Sequence, residues 1–203
     1  MVQFENWLLR GLLGFVCLLP VCSSAEQDLC GPLTTVREKL NATQRRRFMK
    51  MYFPINYTIQ VHYEEVFKLR NISRLLNTST EHEPVLVKDL QDLWLSVTLQ
   101  GIKRVLRVLP DRHPTRRKYL QDLENLFRHF EGVYHFNQKE QRELPESIQN
   151  IMDRITDQNY HGWKSVTPKS ILDNSYRTMH CLFKECFRKD NYDYCEVPKK
   201  KTT

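Results

Sequence analysis

The stretch Pro84–Phe130, PVLVKDLQDLWLSVTLQGIKRVLRVLPDRHPTRRKYLQDLENLFRHF, holds two apolar stripes and the break between them. Leu86, Leu90, Leu93, Val97, Ile102, Val105 and Leu109 recur near the 3.6-residue period, and Trp94 and Leu95 widen the stripe. That spacing predicts an amphipathic helix B over 84–109. Pro110 and Pro114 frame a tight link. Proline suits a first helical position, where its missing N–H has no partner to lose. Helix C is therefore expected over 114–131, carrying Tyr119, Leu123, Leu126, Phe127 and Phe130. A link that short makes B and C antiparallel neighbours.

Upstream, Val36, Leu40, Phe48 and Met51 fall near one helical face, and Thr35 and Glu38 have capping-box spacing. This predicts helix A over 35–52, ended by Pro54. Ile55, Tyr57, Ile59, Val61 and Tyr63 then alternate with polar residues, the period-two pattern of a strand. A mixed segment through Asn71 and Asn77 reads as loop with a short helical turn. Downstream, Pro145 introduces a short helix with Ile148, Met152 and Ile155, and Trp163–Val166 reads as a second strand. Thr167–Pro168 opens helix D over 168–187, with Leu172, Tyr176, Met179, Phe183 and Phe187. Short B-to-C and long A-to-B and C-to-D connections define an all-α, up-up-down-down four-helix bundle. The two short strands pair antiparallel where the crossovers pass.

Composition agrees. The chain has 203 residues, six glycines, nine prolines, six cysteines and a net charge of +7. Residues 1–25 read as a signal peptide: Arg10 closes the charged region, Gly11 to Cys22 are apolar, and Ser23-Ser24-Ala25 precede a cut. The apolar run is too short to span a bilayer, which takes about 20 residues, so no membrane insertion is expected. The remainder, 26–203, is one domain with four glycines and four cysteines. So little glycine argues against a hairpin-rich β fold and against phosphate-cradling loops.

In an exported chain Cys30, Cys181, Cys186 and Cys195 read as two disulfides. If Cys181 and Cys186 share helix D, their offset rises about 7.5 Å, beyond the roughly 7 Å that a disulfide tolerates. Cys30 then pairs with Cys181 or Cys186, and Cys195 takes the other. Four N-glycosylation sequons begin at Asn41, Asn56, Asn71 and Asn77. Asn71 and Asn77, among Ser, Thr and Asn residues, best fit a surface loop.

No G-x-S-x-G, H-E-x-x-H or glycine-rich phosphate loop is present, the seven histidines are scattered, and the mature cysteines are consumed in disulfides. No cofactor, metal or catalysis is expected. Basic clusters say more. Arg45, Arg46, Arg47 and Lys50 lie late in helix A, Arg116, Arg117 and Lys118 open helix C, and Lys103, Arg104 and Arg107 lie on helix B. With +7 and export, they suggest a sulfated polysaccharide partner. Export and the lack of a recognition motif exclude nucleic acid. Three functions fit this reading: a signalling ligand, a carrier enclosing an apolar ligand around Trp94 and Phe127, or an exported hydrolase.

Particular blocks narrow the choice. Met49–Val61 (MKMYFPINYTIQV), Tyr63–Phe67, Asn71–Leu75, His113-Pro with Lys118–Gln121, Pro168–Asn174 and Cys195–Pro198 run in order along the chain and resemble the interleukin-34 family. The resemblance implies a short-chain four-helix cytokine that forms a homodimer. It implies as receptor the tyrosine kinase shared with macrophage colony-stimulating factor, whose ectodomains such a dimer would join. It also implies survival and differentiation of monocytes, macrophages and microglia, and an association with chondroitin-sulfate proteoglycans. Asn71 matches the family's sequon. The cysteines depart from the family's denser cluster, and Ser175 stands where another cysteine can occur. Position along the resemblance favours Cys30–Cys186 with Cys181–Cys195 over the other pairing. The matched blocks do not carry receptor contacts. For those, the exposed face of helix C, opposite its apolar stripe, offers Gln121, Glu124, Asn125 and Arg128.

Overall fold

The computed structural model describes residues 28–49, 57–62, 67–77, 83–109, 113–138, 143–157, 159, 161–188 and 195. The expected signal peptide, Lys50 and Asn56 lie outside them. In chain order the elements are α1 (Cys30–Lys39), α2 (Ala42–Met49), β1 (Ile59–His62), α3 (Leu69–Asn77), α4 (Val87–Val108), α5 (Pro114–Asn137), α6 (Glu146–Thr156), β2 (Trp163–Val166) and α7 (Pro168–Leu182). A 3-10 turn, Lys184–Phe187, follows α7.

Packing partners give the topology. The α1–α2 pair lies on α5 and α7, and α4 lies on the same two helices from the other side. Pair directions follow from contacts at the helix ends. Lys39 at the end of α1 meets Asp122 early in α5 (3.3 Å), and its carbonyl accepts from the Tyr119 hydroxyl (3.0 Å). Gln91 near the start of α4 donates to the Leu182 carbonyl at the end of α7 (2.8 Å), while Thr98 meets Ser175 a few turns on (2.9 Å). The Cys30–Cys186 disulfide joins the start of α1 to the turn beyond α7. Helices α1–α2 and α4 thus run one way and α5 and α7 the other, which is the up-up-down-down bundle. The strands pair antiparallel in the register Ile59↔Val166 to His62↔Trp163.

Several boundaries differ from the sequence expectation. Helix A is two helices. Asn41 sits between them, its Oδ1 accepting from the Gln44 N–H (2.9 Å) and its Nδ2 donating to the Glu38 carbonyl (2.6 Å). A short amide that bonds the backbone locally competes with a continuous helix and caps the next one. The Thr35–Glu38 capping box does not form, because α1 already begins at Cys30; the Thr35 hydroxyl donates to the Gly31 carbonyl inside the helix (3.3 Å). Helix B begins at Val87 rather than Pro84, and the Asp89 carboxylate accepts from the Leu86 N–H (2.8 Å). Helix C runs on to Asn137 because Val133 and Tyr134 continue its buried stripe. Helix D stops at Leu182, where Phe183 leaves helical geometry at φ −122°, ψ 47°. Its expected start holds: Thr167 caps the Ser170 N–H (3.2 Å) and Pro168 takes the first turn. The segment 69–77 is a full helix rather than a loop.

The centre of the bundle is aromatic. Trp94 lies with its ring centroid 5.4 Å from Phe127, 6.1 Å from Phe130 and 5.3 Å from Phe183, all four rings fully buried. Its indole N–H donates to the Ser175 carbonyl (3.0 Å). The tilted and edge-on geometries are those in which aromatic quadrupoles attract. Burial pushes the Tyr119 phenol well above its ordinary range, with the Arg45 charge pulling the other way.

Candidate functional site

The two disulfides are Cys30–Cys186 and Cys181–Cys195, with Cα separations of 5.1 and 5.6 Å. The premise used to exclude a Cys181–Cys186 bond is corrected: these cysteines stand on two elements, α7 and the 3-10 turn. Both bonds gather at one end of the bundle, where they tie the start of α1 and residue 195 to the end of α7 and the turn after it.

The sequons fall in three different settings. Asn71 is not on a loop; it lies in α3 and only 8% of its surface is exposed. Asn77, the last residue of the same helix, is exposed. Asn41 is half-buried, with its amide engaged at the α1–α2 junction.

The basic clusters do not form one surface. Arg45 is 8% exposed: its Nε donates to Asp173 of α7 (2.6 Å), Nη1 donates to the Leu40 carbonyl, and the guanidinium lies 4.3 Å over the Tyr176 ring. A guanidinium so enclosed fixes α2 against α7 and is not available to a polyanion. Arg116 is likewise buried. Both assignments are corrected for the same reason: a helix turns 100° per residue, so neighbours in an arginine run face different ways. Arg46 and Arg47 are exposed. Arg117 donates to the Leu109 carbonyl (2.8 Å) and closes the B-to-C link. Lys118 is exposed beside Asp122 (3.4 Å). Burial alone would raise the Asp122 carboxyl, but the hydrogen bonds and charges of Lys39 and Lys118 outweigh it and hold the group below its usual range.

The proposed contact residues of helix C do share a face. Gln121, Asn125 and Arg128 are exposed along the outward side of α5. Glu124 at its edge accepts from the Arg128 guanidinium (2.9 Å). The same face continues beyond the expected end of the helix, through Gly132 to Phe136, which is 67% exposed. Sequence reasoning missed these two residues because it ended the helix at 131. The available signal was the period itself, in which 121, 125, 128, 132 and 136 recur at steps of three or four.

Two concavities border this framework. A groove of about 700 Å³ runs between α4, α5 and α6, lined by Lys88, Asp92, Glu131, His135, Gln138 and Met152 among others. Burial raises the Asp92 carboxyl there, against the opposing charge of His135 and the hydrogen bond from Gln138. A shallow one of about 680 Å³ lies beside the sheet, around Tyr57, Arg104, Val108 and Trp163. Trp163 stacks on His62 (4.3 Å) and carries the Arg104 guanidinium at 4.9 Å. Neither lies at the bundle centre that an apolar carrier would have to open, which its own rings occupy. Among the described residues no three His, Cys, Asp or Glu side chains converge as a metal-binding group.

A sequence model described as Interleukin 34 matches residues 23–191. The chain belongs to the interleukin-34 family. Interleukin-34 is a family of cytokines, which is not an enzyme family. No helix among the described residues is long and apolar enough to cross a membrane. As an interleukin-34 family member the chain is a cytokine.

Proposed function

We propose that this chain is a secreted, homodimeric ligand of the receptor tyrosine kinase shared with macrophage colony-stimulating factor. It acts by joining two receptor ectodomains so that their kinase domains phosphorylate one another, promoting survival, proliferation and differentiation of monocytes and macrophages. The family match over residues 23–191 is the observation that carries this reading. The disulfide-stapled bundle supports it, since disulfides persist in oxidising, extracellular surroundings. The test is a mass measurement of the purified chain mixed with receptor ectodomain. Two ligand chains with two ectodomains is the expected assembly; failure to bind would reject the proposal.

We also propose sulfated glycosaminoglycan or proteoglycan as an accessory partner, now with a smaller set of residues. Arg46 and Arg47 on α2 and Lys118 on α5 are exposed cations, whereas Arg45 and Arg116 are buried. Changing Arg46 and Arg47 together to Ala is expected to lower the salt needed to elute the protein from a heparin column. The melting temperature should stay within about 1–2 °C, as exposed substitutions cost within roughly 0.5 kcal/mol. An unchanged elution salt would remove α2 from the polyanion site. Glycan is proposed at the sequons, with Asn77 the most accessible of the three described.

A further inference from the structure

Three helices that pack together are short of acidic residues. Helices α2 (ATQRRRFM) and α3 (LRNISRLLN) contain no Asp or Glu, and α7 contains only Asp173. That carboxylate is already held by the buried Arg45 (2.6 Å) and by Lys169. Both α2 and α3 pack on α7, so the remaining arginines stand on adjoining elements. Arg46 of α2, Arg74 of α3 and Arg177 of α7 are all exposed. None of the three has an ion-pair partner among the described residues. Arg70, one turn before Arg74, is exposed on the same face of α3.

Helix geometry carries these side chains to one side of the α2–α7 seam. Arg45 reaches from α2 to Asp173 and lies over Tyr176 (4.3 Å), while Phe48 stacks on Tyr119 of α5 (4.5 Å). At 3.6 residues per turn, Arg46 is rotated from Arg45 in the sense opposite to Phe48, and so turns away from α5. On α7, Ser175 marks the side facing α4, and Asp173 and Tyr176 mark the side facing α2. Arg177 belongs to neither side and is the one exposed residue of that helix. Because α2 and α7 run antiparallel, their right-handed turns bring Arg46 and Arg177 out on the same side of the seam. Beyond Arg177 lies the arc of Asn174, Thr178 and Cys181, with Thr178 fully buried. That arc is the one left for α3 to cover.

We propose that this strip, from Arg46 across Arg177 to Arg74 and Arg70, is a binding site for a linear sulfated polysaccharide. The proposal rests on the accessory polyanion reading above and moves its site, since Arg74 and Arg177 belong to none of the basic runs in the sequence. Like charges without a counter-charge repel, and an anionic chain laid along them removes that cost. The guanidinium fork also suits oxyanions, which it binds through two parallel N–H donors. Two observations favour a polysaccharide over an anionic bilayer. Of the large exposed hydrophobic residues described, only Leu76 stands on these three helices, so little can enter a lipid phase. The strip also ends beside Asn77, the exposed acceptor of a sequon, and a glycan there would hold a bilayer off.

Arg74→Gln with Arg177→Gln removes two strip cations and leaves helix propensity nearly unaltered. Lys103→Gln with Arg107→Gln removes the same charge from α4, outside the strip. Each protein is titrated with size-selected heparin fragments over a range of salt, and its melting temperature is recorded. Every chain charge that is neutralised releases a counterion, so the slope of log affinity against log salt counts the contacts. The strip variant is expected to lose about two from that slope and about tenfold in affinity near physiological salt. The α4 variant should lose less than about threefold, and both should melt within about 1–2 °C of the unmodified chain. Equal losses in the two variants, or no loss in the strip variant, overturn the strip and leave the polyanion reading standing. An unmodified chain with no affinity for the fragments overturns both. Binding to phosphatidylserine vesicles that is lost in the strip variant and not displaced by heparin fragments would assign the strip to a lipid surface and overturn the proposal.

Discussion

Trp94→Ala is expected to destabilise the protein by about 4–5 kcal/mol, at the upper end for a buried tryptophan. The melting temperature should fall by roughly 10–15 °C, at about 2–4 °C per kcal/mol for a domain of this size. Trp94 is fully buried and meets Phe127 and Phe130 of α5 and Phe183 beyond α7, so its removal unpacks three elements at once. The cavity left behind cannot close easily, because Phe130 and Phe183 also hold each other edge-on at 5.5 Å. Losing the indole N–H adds a smaller amount. The Ser175 carbonyl that accepts it at 3.0 Å keeps the Thr178 hydroxyl at 3.1 Å, so that acceptor is not orphaned. Trp94→Phe should therefore retain most of the packing and cost about 1–2 kcal/mol. Calorimetry on the two variants checks this. A loss below about 1 kcal/mol for Trp94→Ala would show that the aromatic cluster does not organise the core.

Removing the Cys30–Cys186 bond by changing both residues to Ser is the second large effect. The bond closes 156 residues of sequence, and loop-closure entropy grows with the logarithm of loop length. Its expected contribution is about 5 kcal/mol, again on the order of 10–20 °C. The Cys181–Cys195 bond closes only 14 residues, for which the same argument gives about 3 kcal/mol. The comparison of the two double variants is the informative measurement. If losing Cys181–Cys195 costs as much or more, local packing rather than chain entropy governs these staples. Loss of Cys30–Cys186 should also release α1 first, since hydrogen exchange follows local opening. Amides of α1 are then expected to exchange faster before those of α4 change.

Much of this architecture is legible in residue order alone, and the reason differs from element to element. Helices B and C declare themselves because each carries apolar residues at a 3.6-residue period and a proline pair separates them. The Thr167–Pro168 start of helix D is a local hydrogen bond plus a fixed φ, and both are properties of adjacent residues. The first strand was legible locally too, in its period-two alternation, and the second only as the short run Trp163–Val166. The interruption of helix A was harder to see. It depends on the side chain of Asn41 choosing the backbone over solvent, a competition that a capping residue can win or lose.

The site was less legible than the fold. In the run Arg45-Arg46-Arg47 nothing in the sequence marks the first arginine as different. Its Asp173 partner lies 128 residues away, and only the packing of α2 on α7 brings the two within 2.6 Å. Phe136 failed to stand out for a related reason. An aromatic residue is expected to be buried until a structure leaves it in water.

The sequence by itself determined the apolar stripes of the bundle, the short and long connections between them, the strand pair and hence the direction of the bundle's long helices, along with the number of cysteines available for stapling; it did not determine where the helices break or end. Those are consequences of periodicity, proline and local capping, which act over a few residues. Tertiary structure alone decided which arginines turn inward, which half-cystines meet, and that the outward face of α5 extends to an exposed phenylalanine. Those depend on contacts between different elements, some more than a hundred residues apart, or on an absence of contact, and neither is written in the order of neighbouring residues.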